Sequence, residues 1–312
     1  MNIKSKITLY LILTLIALLV TAGLYFTGRL AALTFTEPTP RSFEETIQAS
    51  SEEFGDFERD WFESLPFQPF SVSSPYGYEL QGVYLPGNTD KTIVLCHGYR
   101  YTWVGTAKYM PLLMEEGWNI ITYNHRYHGD SGGPFCSAGY YESHDLKAVC
   151  DWAWRKFPQT ETFGVQGESM GGATVLLYMN QDERLDFVWA DCPFSDLADL
   201  YRDQFIRKNG IPRFLHRPIL FFTDRYFKNK YQFELADVSP REEILKSPTP
   251  LILFHGMADD FILHEMSEEM YELRKEKAPT KLVLIQEGVH AASITADRKK
   301  YEEQLKSFLE EL

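Results

Sequence analysis

Ser169 stands at the centre of Gly167-Glu168-Ser169-Met170-Gly171, the pattern G-x-S-x-G. An apolar run from Thr162 to Val165 leads in and reads as a short buried strand. Gly172 to Met179, rich in Ala, Leu and Met, leads out and reads as a helix. A serine on so sharp a strand-to-helix turn is held in a strained backbone conformation, which requires small residues two before and two after it. The turn lifts the hydroxyl clear of the sheet and aims the first helical N–H groups at any oxyanion forming beside it. A serine alone is a poor nucleophile and needs a base and an orienting acid. On this kind of turn the chain order is Ser, then acid, then His, with both partners in loops after strands. His255 to Ile262 follows an apolar run at Leu251 to Phe254 and offers Asp259 and Asp260. Glu287 to Ser293 follows Leu282 to Ile285 and offers His290.

The other histidines compete less well. His125 and His128 precede Ser169, His97 and His255 sit at strand ends beside glycines where a ring braces a turn, and His264 begins a helix. Asp191 and Asp196 are rival acids, because some enzymes of this type take the acid from the preceding strand. The second oxyanion donor is expected from His97-Gly98-Tyr99-Arg100, after the run Thr92 to Cys96. There the N–H of Tyr99 would join that of Met170, each donor contributing about 3 kcal/mol to the transition state.

The elements needed to position these groups are legible. Two strands, Phe70 to Val72 and Leu80 to Leu85, are joined by the turn Ser74-Pro75-Tyr76-Gly77 without an intervening helix. They predict an antiparallel edge. Strands at Thr92 to Cys96, Trp118 to Tyr123, Thr162 to Val165, Phe187 to Cys192, Leu251 to Phe254 and Leu282 to Ile285 then alternate with helix-like stretches. Those stretches are Ala107 to Glu116, Asp145 to Phe157, Gly172 to Met179, Glu265 to Glu276 and Thr295 to Leu312. The alternation predicts an α/β fold, a mostly parallel twisted sheet covered by helices on both faces. Residues 194–237 break it. They hold ten phenylalanines and tyrosines and eight arginines and lysines, among them Phe194, Phe205, Phe221, Phe222, Arg213 and Arg217. They read as a helical cap insertion above the strand ends, where ligands bind in such sheets. Those four phenylalanines are candidates for the substrate pocket, and the basic aromatic surface is a candidate for lipid headgroups.

Ile7 to Phe26 is an apolar run without a charge, preceded by Lys4 and Lys6 and followed by Arg29. Its length suits a membrane-crossing helix, and the charge bias favours the amino terminus inside and the remainder outside the cell. A cleaved signal peptide is the competing reading, with Thr21-Ala22-Gly23 as a passable cleavage site. The expected organisation is an anchor over 1–36, a linker with an amphipathic helix over 37–66, and the catalytic domain over 67–312. The helix would carry Phe43, Ile47, Phe54, Phe57 and Trp61, and the linker would pack loosely on the domain.

Composition closes some doors. The chain of 312 residues carries 31 Lys+Arg against 44 Asp+Glu, a net charge of −13, which argues against a nucleic-acid partner. Cys96, Cys136, Cys150 and Cys192 show no metal-ligand spacing and no spacing that predicts a disulfide.

Taken together these motifs resemble the α/β-hydrolase superfamily over nearly everything from Phe70 to Leu312. The resemblance rests on His97-Gly98-Tyr99, Arg126-Tyr127-His128-Gly129, Gly167 to Gly171, His255-Gly256-Met257-Ala258-Asp259 and His290. Asp191-Cys192-Pro193-Phe194-Ser195, with an amino-terminal anchor, is similar to the YqkD-type branch of bacterial membrane-anchored serine hydrolases. The family motif H-G-x-x-D-x-x-V/I places the acid on Asp259 and Ile262 at its last position, with Leu263 where a proline often follows. The resemblance implies a Ser169, Asp259, His290 triad, an acyl-enzyme mechanism on a small-molecule acyl substrate, and neither metal nor organic cofactor. Carboxylesterase action on small or medium acyl chains leads. Serine aminopeptidase or acyl-thioesterase action is the alternative, with Glu168, Asp196 and Asp199 as candidate holders of a substrate amine. A non-catalytic, membrane-anchored binding protein is the reading from another class.

Overall fold

A computed structural model describes residues 3–54 and 57–312, with the side chains of Glu53 and Phe54 outside the described residues. The chain opens with one long helix, α1 (Ile3–Thr36), followed by the short helices α2 (Phe43–Phe54) and α3 (Arg59–Ser64). The strands β1 (Gln68–Ser73), β2 (Glu79–Leu85) and β3 (Lys91–Cys96) come next. A 3-10 turn at Trp103–Tyr109 runs into α4 (Met110–Glu115), then β4 (Asn119–Tyr123), α5 (Tyr140–Lys156), β5 (Thr162–Glu168), α6 (Met170–Tyr178) and β6 (Phe187–Asp191). Between β6 and the next strand lie α7 (Leu197–Tyr201), a π turn (Arg202–Arg207), α8 (Arg213–Tyr231) and α9 (Pro240–Glu243). The chain ends with β7 (Leu251–Gly256), α10 (Glu265–Arg274), β8 (Thr280–Ile285), α11 (Ser293–Ala296) and α12 (Arg298–Glu310).

The eight strands form one sheet in the order β1-β2-β4-β3-β5-β6-β7-β8. β1, β2 and β4 pair antiparallel, and every pairing from β4 through β8 is parallel. The expected antiparallel edge is therefore present. The central strands are apolar on both faces because helices cover both, so β4, β6 and β7 are buried at every residue. One core packs α5, α6 and α10 on one side of the sheet around Val94, Val165 and Leu253. The other packs α4 and α12 around Ile93, Trp189 and Phe254.

The amino-terminal segments are tied in more closely than the sequence suggests. The expected single amphipathic helix is two short ones, and Ile47 and Phe62 are buried in the second core against Trp103. Loose packing of this linker is thus not what the chain adopts. α1 has two halves of different character. From Ile3 to Phe26 its large apolar side chains stand exposed, making it a candidate membrane span. Beyond it one face, Gly28, Ala31, Ala32, Phe35 and Thr36, is buried where the helix meets α8, and Ala31, Ala32 and Phe35 join the core of the segment between β6 and β7. Gly28 allows that approach, since a Cβ there would lie 2.7 Å from the Thr223 nitrogen. Pro218 lies within α8, whose buried face is Ile219, Thr223, Phe227 and Tyr231.

Candidate active site

β5 is central in the sheet, and the chain reverses sharply at its carboxyl end into α6. Ser169 occupies that corner with φ 56° and ψ −115°, a conformation costly for any residue with a Cβ. Its N–H donates to the Asp191 carbonyl at 2.8 Å, which clamps the corner to β6. A Cβ on Gly167 would meet the Gly171 oxygen at 2.1 Å, and one on Gly171 would meet the Cys96 oxygen at 2.2 Å. Those contacts explain the glycines on either side of the serine.

The Ser169 Oγ lies 3.0 Å from Nε2 of His290, which sits in the loop after β8. Nδ1 of His290 lies 2.7 Å from Oδ2 of Asp259, in the loop after β7. The other Asp259 oxygen accepts the backbone N–H groups of Phe261 and Ile262 at 2.9 and 2.8 Å. Burial alone would raise the Asp259 pKa. Hydrogen bonds from His255 and His290 and their charges outweigh it and hold the carboxyl well below the usual range. A fixed carboxylate beside one imidazole nitrogen sets the tautomer, leaving the other nitrogen to accept a proton from a hydroxyl. Asp260 is exposed and makes no such contact among the described residues.

The N–H groups of Tyr99 and Met170 donate to no acceptor among the described residues, and both belong to residues beside Ser169. The loop carrying Tyr99 is braced by histidines. His97 donates from Nδ1 to the Gly98 carbonyl at 2.7 Å, and its Nε2 accepts the His125 N–H at 2.9 Å. His128 donates to the Arg126 carbonyl at 2.8 Å and accepts the Arg100 N–H at 3.1 Å. Burial pushes all three of these rings down, His125 to about 3, so they are neutral supports. His255 braces the loop of the acid, bonded to Ser267 and the Ile262 carbonyl.

The rival acids are engaged elsewhere. Asp191 accepts from Ser293 and Tyr301, each at 2.8 Å, and Asp196 caps α7 through the Ala198 N–H. The carboxylates considered for holding an amine are also taken. Glu168 is paired with the buried ammonium of Lys108 and accepts from Tyr109 at 2.6 Å. Asp199 pairs with Arg202 and Arg241. Lys108 escaped sequence reasoning. Its Nζ also donates to the Ala291 carbonyl at 2.5 Å, next to His290, and a lone lysine in the helix-like stretch Ala107 to Glu116 gives no signal of that.

Two spaces flank Ser169. A cleft of ≈ 210 Å³ is lined by Ser169, His290, Glu168, Phe261, Arg41 and Arg100. A smaller apolar slot of ≈ 20 Å³ is lined by Ser169, Tyr99, Met170, Phe194, Leu200 and Phe35 of α1. Of the four phenylalanines expected in the pocket, Phe194 alone is in the slot. Phe205 packs in the core of the cap segment, Phe221 is exposed on the outer face of α8, and Phe222 packs on Gly28 and Tyr25 of α1. Phe35 was missed because an apolar residue ending an apolar helix carries no mark of a pocket. The four cysteines are free and buried.

An eight-stranded, mostly parallel sheet with a strained serine at the end of its central strand defines an α/β hydrolase. The chain belongs to that family: a model described as alpha/beta hydrolase fold matches residues 91–247. It is 34% identical over 254 residues to YqkD of Bacillus subtilis, an uncharacterised protein, covering 80% of this chain and 82% of that one. YfhR of Escherichia coli K12, also uncharacterised, is 28% identical over 243 residues, 75% of this chain and 77% of its own. Among solved structures, the Pyrococcus furiosus esterase Pf2001 superposes with a TM-score of 0.68 at 21% identity, covering 82% of this chain and 96% of that one. The acylaminoacyl peptidase of Pyrococcus horikoshii gives 0.60 at 21% identity, covering 82% of this chain and 43% of that one.

Proposed function

We propose that the protein is a serine esterase working through an acyl-enzyme. The observation that carries this is the continuous hydrogen-bonded path from Ser169 through His290 to Asp259. His290 takes the Ser169 proton as Oγ attacks the acyl carbonyl, and Asp259 stabilises the imidazolium that results. The N–H groups of Tyr99 and Met170 receive the oxyanion. His290 then protonates the departing alcohol and activates the water that releases the acid. Small acyl groups suit the narrow slot. Aminopeptidase action is less well supported, because Glu168 is matched by Lys108 and Asp199 by two arginines.

We read α1 as an uncleaved anchor that crosses the cell membrane from Ile7 to Phe26, with the hydrolase domain on the outer side. The support is the exposed apolar surface of that stretch and the burial of the Gly28, Ala31, Ala32 and Phe35 face within the same helix. Labelling of the full chain in detergent by a fluorophosphonate probe tests the esterase reading. Labelling should require both Ser169 and His290, being lost in Ser169→Ala and reduced at least about a hundredfold in His290→Ala. A folded wild type that takes up no probe and cleaves no ester would return the chain to the class of binding proteins.

A further inference from the structure

The basic, aromatic segment between β6 and β7 takes a definite place once α8 is set beside α1. Thr223 stands against Gly28, and the Phe222 ring meets that of Tyr25 edge to face at 6.3 Å. Further along, the Tyr231 hydroxyl lies 2.8 Å from Oγ1 of Thr36. The two helices therefore run side by side in the same direction. With Thr223 opposite Gly28, α8 is level with Phe26, where the apolar stretch ends, near Phe221. Its amino-terminal half, from Arg213 to Phe221, continues past that level toward the bilayer, reaching up to about 12 Å further along the helix. That is close to the depth, about 5–10 Å, at which amphipathic helices settle between headgroups and acyl chains.

The outward face of α8 carries the groups such a place calls for. Arg213, Phe214, Arg217, Phe221, Arg225 and Lys228 are exposed at helical spacing, opposite the buried face Ile219, Thr223, Phe227 and Tyr231. Phe214 and Phe221 are 78% and 59% exposed. A groove of ≈ 390 Å³ at the amino end of the helix is lined by Arg202, Arg213, Phe214, His216, Arg217 and Leu220, with no acid among them.

Not every cation there is available. Arg202 pairs with Asp199, Arg207 with Asp203 and Lys228 with Glu234, which Arg225 also faces. Lys208 lies over the Phe261 ring at 5.6 Å, and His216 bonds the Ile211 carbonyl at 2.9 Å. The one acid of α8, Asp224, accepts the Leu235 N–H at 2.8 Å. Arg213 and Arg217 make no ion pair, side-chain hydrogen bond or ring contact among the described residues. In a chain of net charge −13, two unmatched guanidiniums flanked by exposed phenylalanines stand where the helix meets the membrane level.

We propose that the amino-terminal half of α8 docks on anionic phospholipid headgroups of the membrane that α1 crosses, with Arg213 and Arg217 on phosphates and Phe214 and Phe221 at the acyl boundary. This rests on the anchor reading above and adds a second membrane contact, made by the cap segment itself. Guanidiniums suit phosphates because they donate in pairs to neighbouring oxygens, and cations at an anionic surface each add to the attraction. The same segment supplies Phe194 and Leu200 to the slot beside Ser169, so the chain that walls the site is also the chain held against the bilayer.

The test places the full chain in nanodiscs of phosphatidylcholine, alone or mixed equally with phosphatidylglycerol. The four native cysteines are buried, so Phe214→Cys takes a thiol-reactive fluorophore selectively. Lipids with a nitroxide on the headgroup quench the fluorophores they touch. Glu161→Cys, exposed beside the start of β5 and at the opposite end of that strand from Ser169, gives the background. Leu13→Cys, read with acyl-chain nitroxides, reports on the anchor itself. Quenching at 214 should exceed that at 161 severalfold, rise with phosphatidylglycerol and weaken with salt. The pair Arg213→Gln with Arg217→Gln should remove most of that rise, and the pair Arg213→Lys with Arg217→Lys should keep it. Neither pair should move Tm, since neither side chain has a contact to lose. Quenching at 13 without quenching at 214 above background overturns the docking surface and leaves the anchor standing. A rise with phosphatidylglycerol that the Gln pair does not move overturns it too. Absence of quenching at 13 overturns the anchor reading and this one with it.

Discussion

Replacing Lys108 by methionine tests whether the buried charges beneath the site act as one unit. Lys108 and Glu168 are both nearly inaccessible, with side chains 2% and 6% exposed, and Asp191 lies in the same cluster through Tyr109. Removing the cation leaves two buried carboxylates facing each other. Breaking such a pair costs about 3–5 kcal/mol. For a chain of this size that is a fall in Tm of roughly 5–8 °C. The pH dependence has a definite sign. Burial first, then the Glu168 charge, already pushes Asp191 up from 3.8 to about 6, and Lys108 opposes them. A raised carboxyl favours folding fully below its unfolded value and loses that contribution as pH rises through its folded one. Without Lys108 the folded value climbs further, so the deficit of Lys108→Met should be smallest near pH 4 and largest near pH 8. The double variant Lys108→Met with Glu168→Gln should recover more than about 2 kcal/mol of the loss, the signature of a direct pair. The assay is thermal unfolding of the full chain in detergent, followed by tryptophan fluorescence across that pH range. Fluorophosphonate labelling should slow as well, because the Lys108 bond to Ala291 holds the loop of His290. A single variant within about 1 kcal/mol of wild type, or strict additivity in the double variant, would refute the reasoning.

Other perturbations read other parts of the molecule. Phe35→Ala opens the acyl slot from the side of α1 and should shift ester preference toward longer acyl chains, measured as kcat/KM across acetate, butyrate and hexanoate esters of one phenol. Gly171→Ala places a methyl 2.2 Å from the Cys96 oxygen and should abolish folding or probe labelling; a folded, labelled variant would mean that the corner relaxes. Asp145 accepts from Ser74 and Tyr78, and burial lifts it from 3.8 to about 6. Its contribution to folding is therefore lost as pH rises from about 4 to 6, and Asp145→Asn should flatten the stability profile in that window.

The fold was legible because its signals are periodic and local. The strands from Thr92 onward are predominantly apolar, as parallel strands covered on both faces are, and the edge pair announced itself by lacking a helix between its strands. The groups brought together at Ser169 were legible because steric demands fix their spacing, as the glycines at 167 and 171 do. What stayed hidden lies in long-range partnerships. Phe35 and Arg41 reach the site across more than a hundred residues, Lys108 finds its carboxylate at Glu168, and no local pattern encodes such meetings. Three of the four phenylalanines expected in the pocket failed for the same reason. Composition places aromatics in a segment without saying which face of a helix such as α8 looks inward.

The unbroken course of α1 sets the working height of the enzyme. No loop separates the apolar stretch that ends at Phe26 from Phe35 in the acyl slot. Nine residues of helix place the slot about 14 Å beyond that stretch. A domain mounted on a rod that also forms part of its own pocket has no swinging reach. On the anchor reading proposed above, its substrates must come to that fixed level above the bilayer. Only a cut beyond Phe35 would take away that wall of the slot, so release by such a cut and loss of the wall would be a single event.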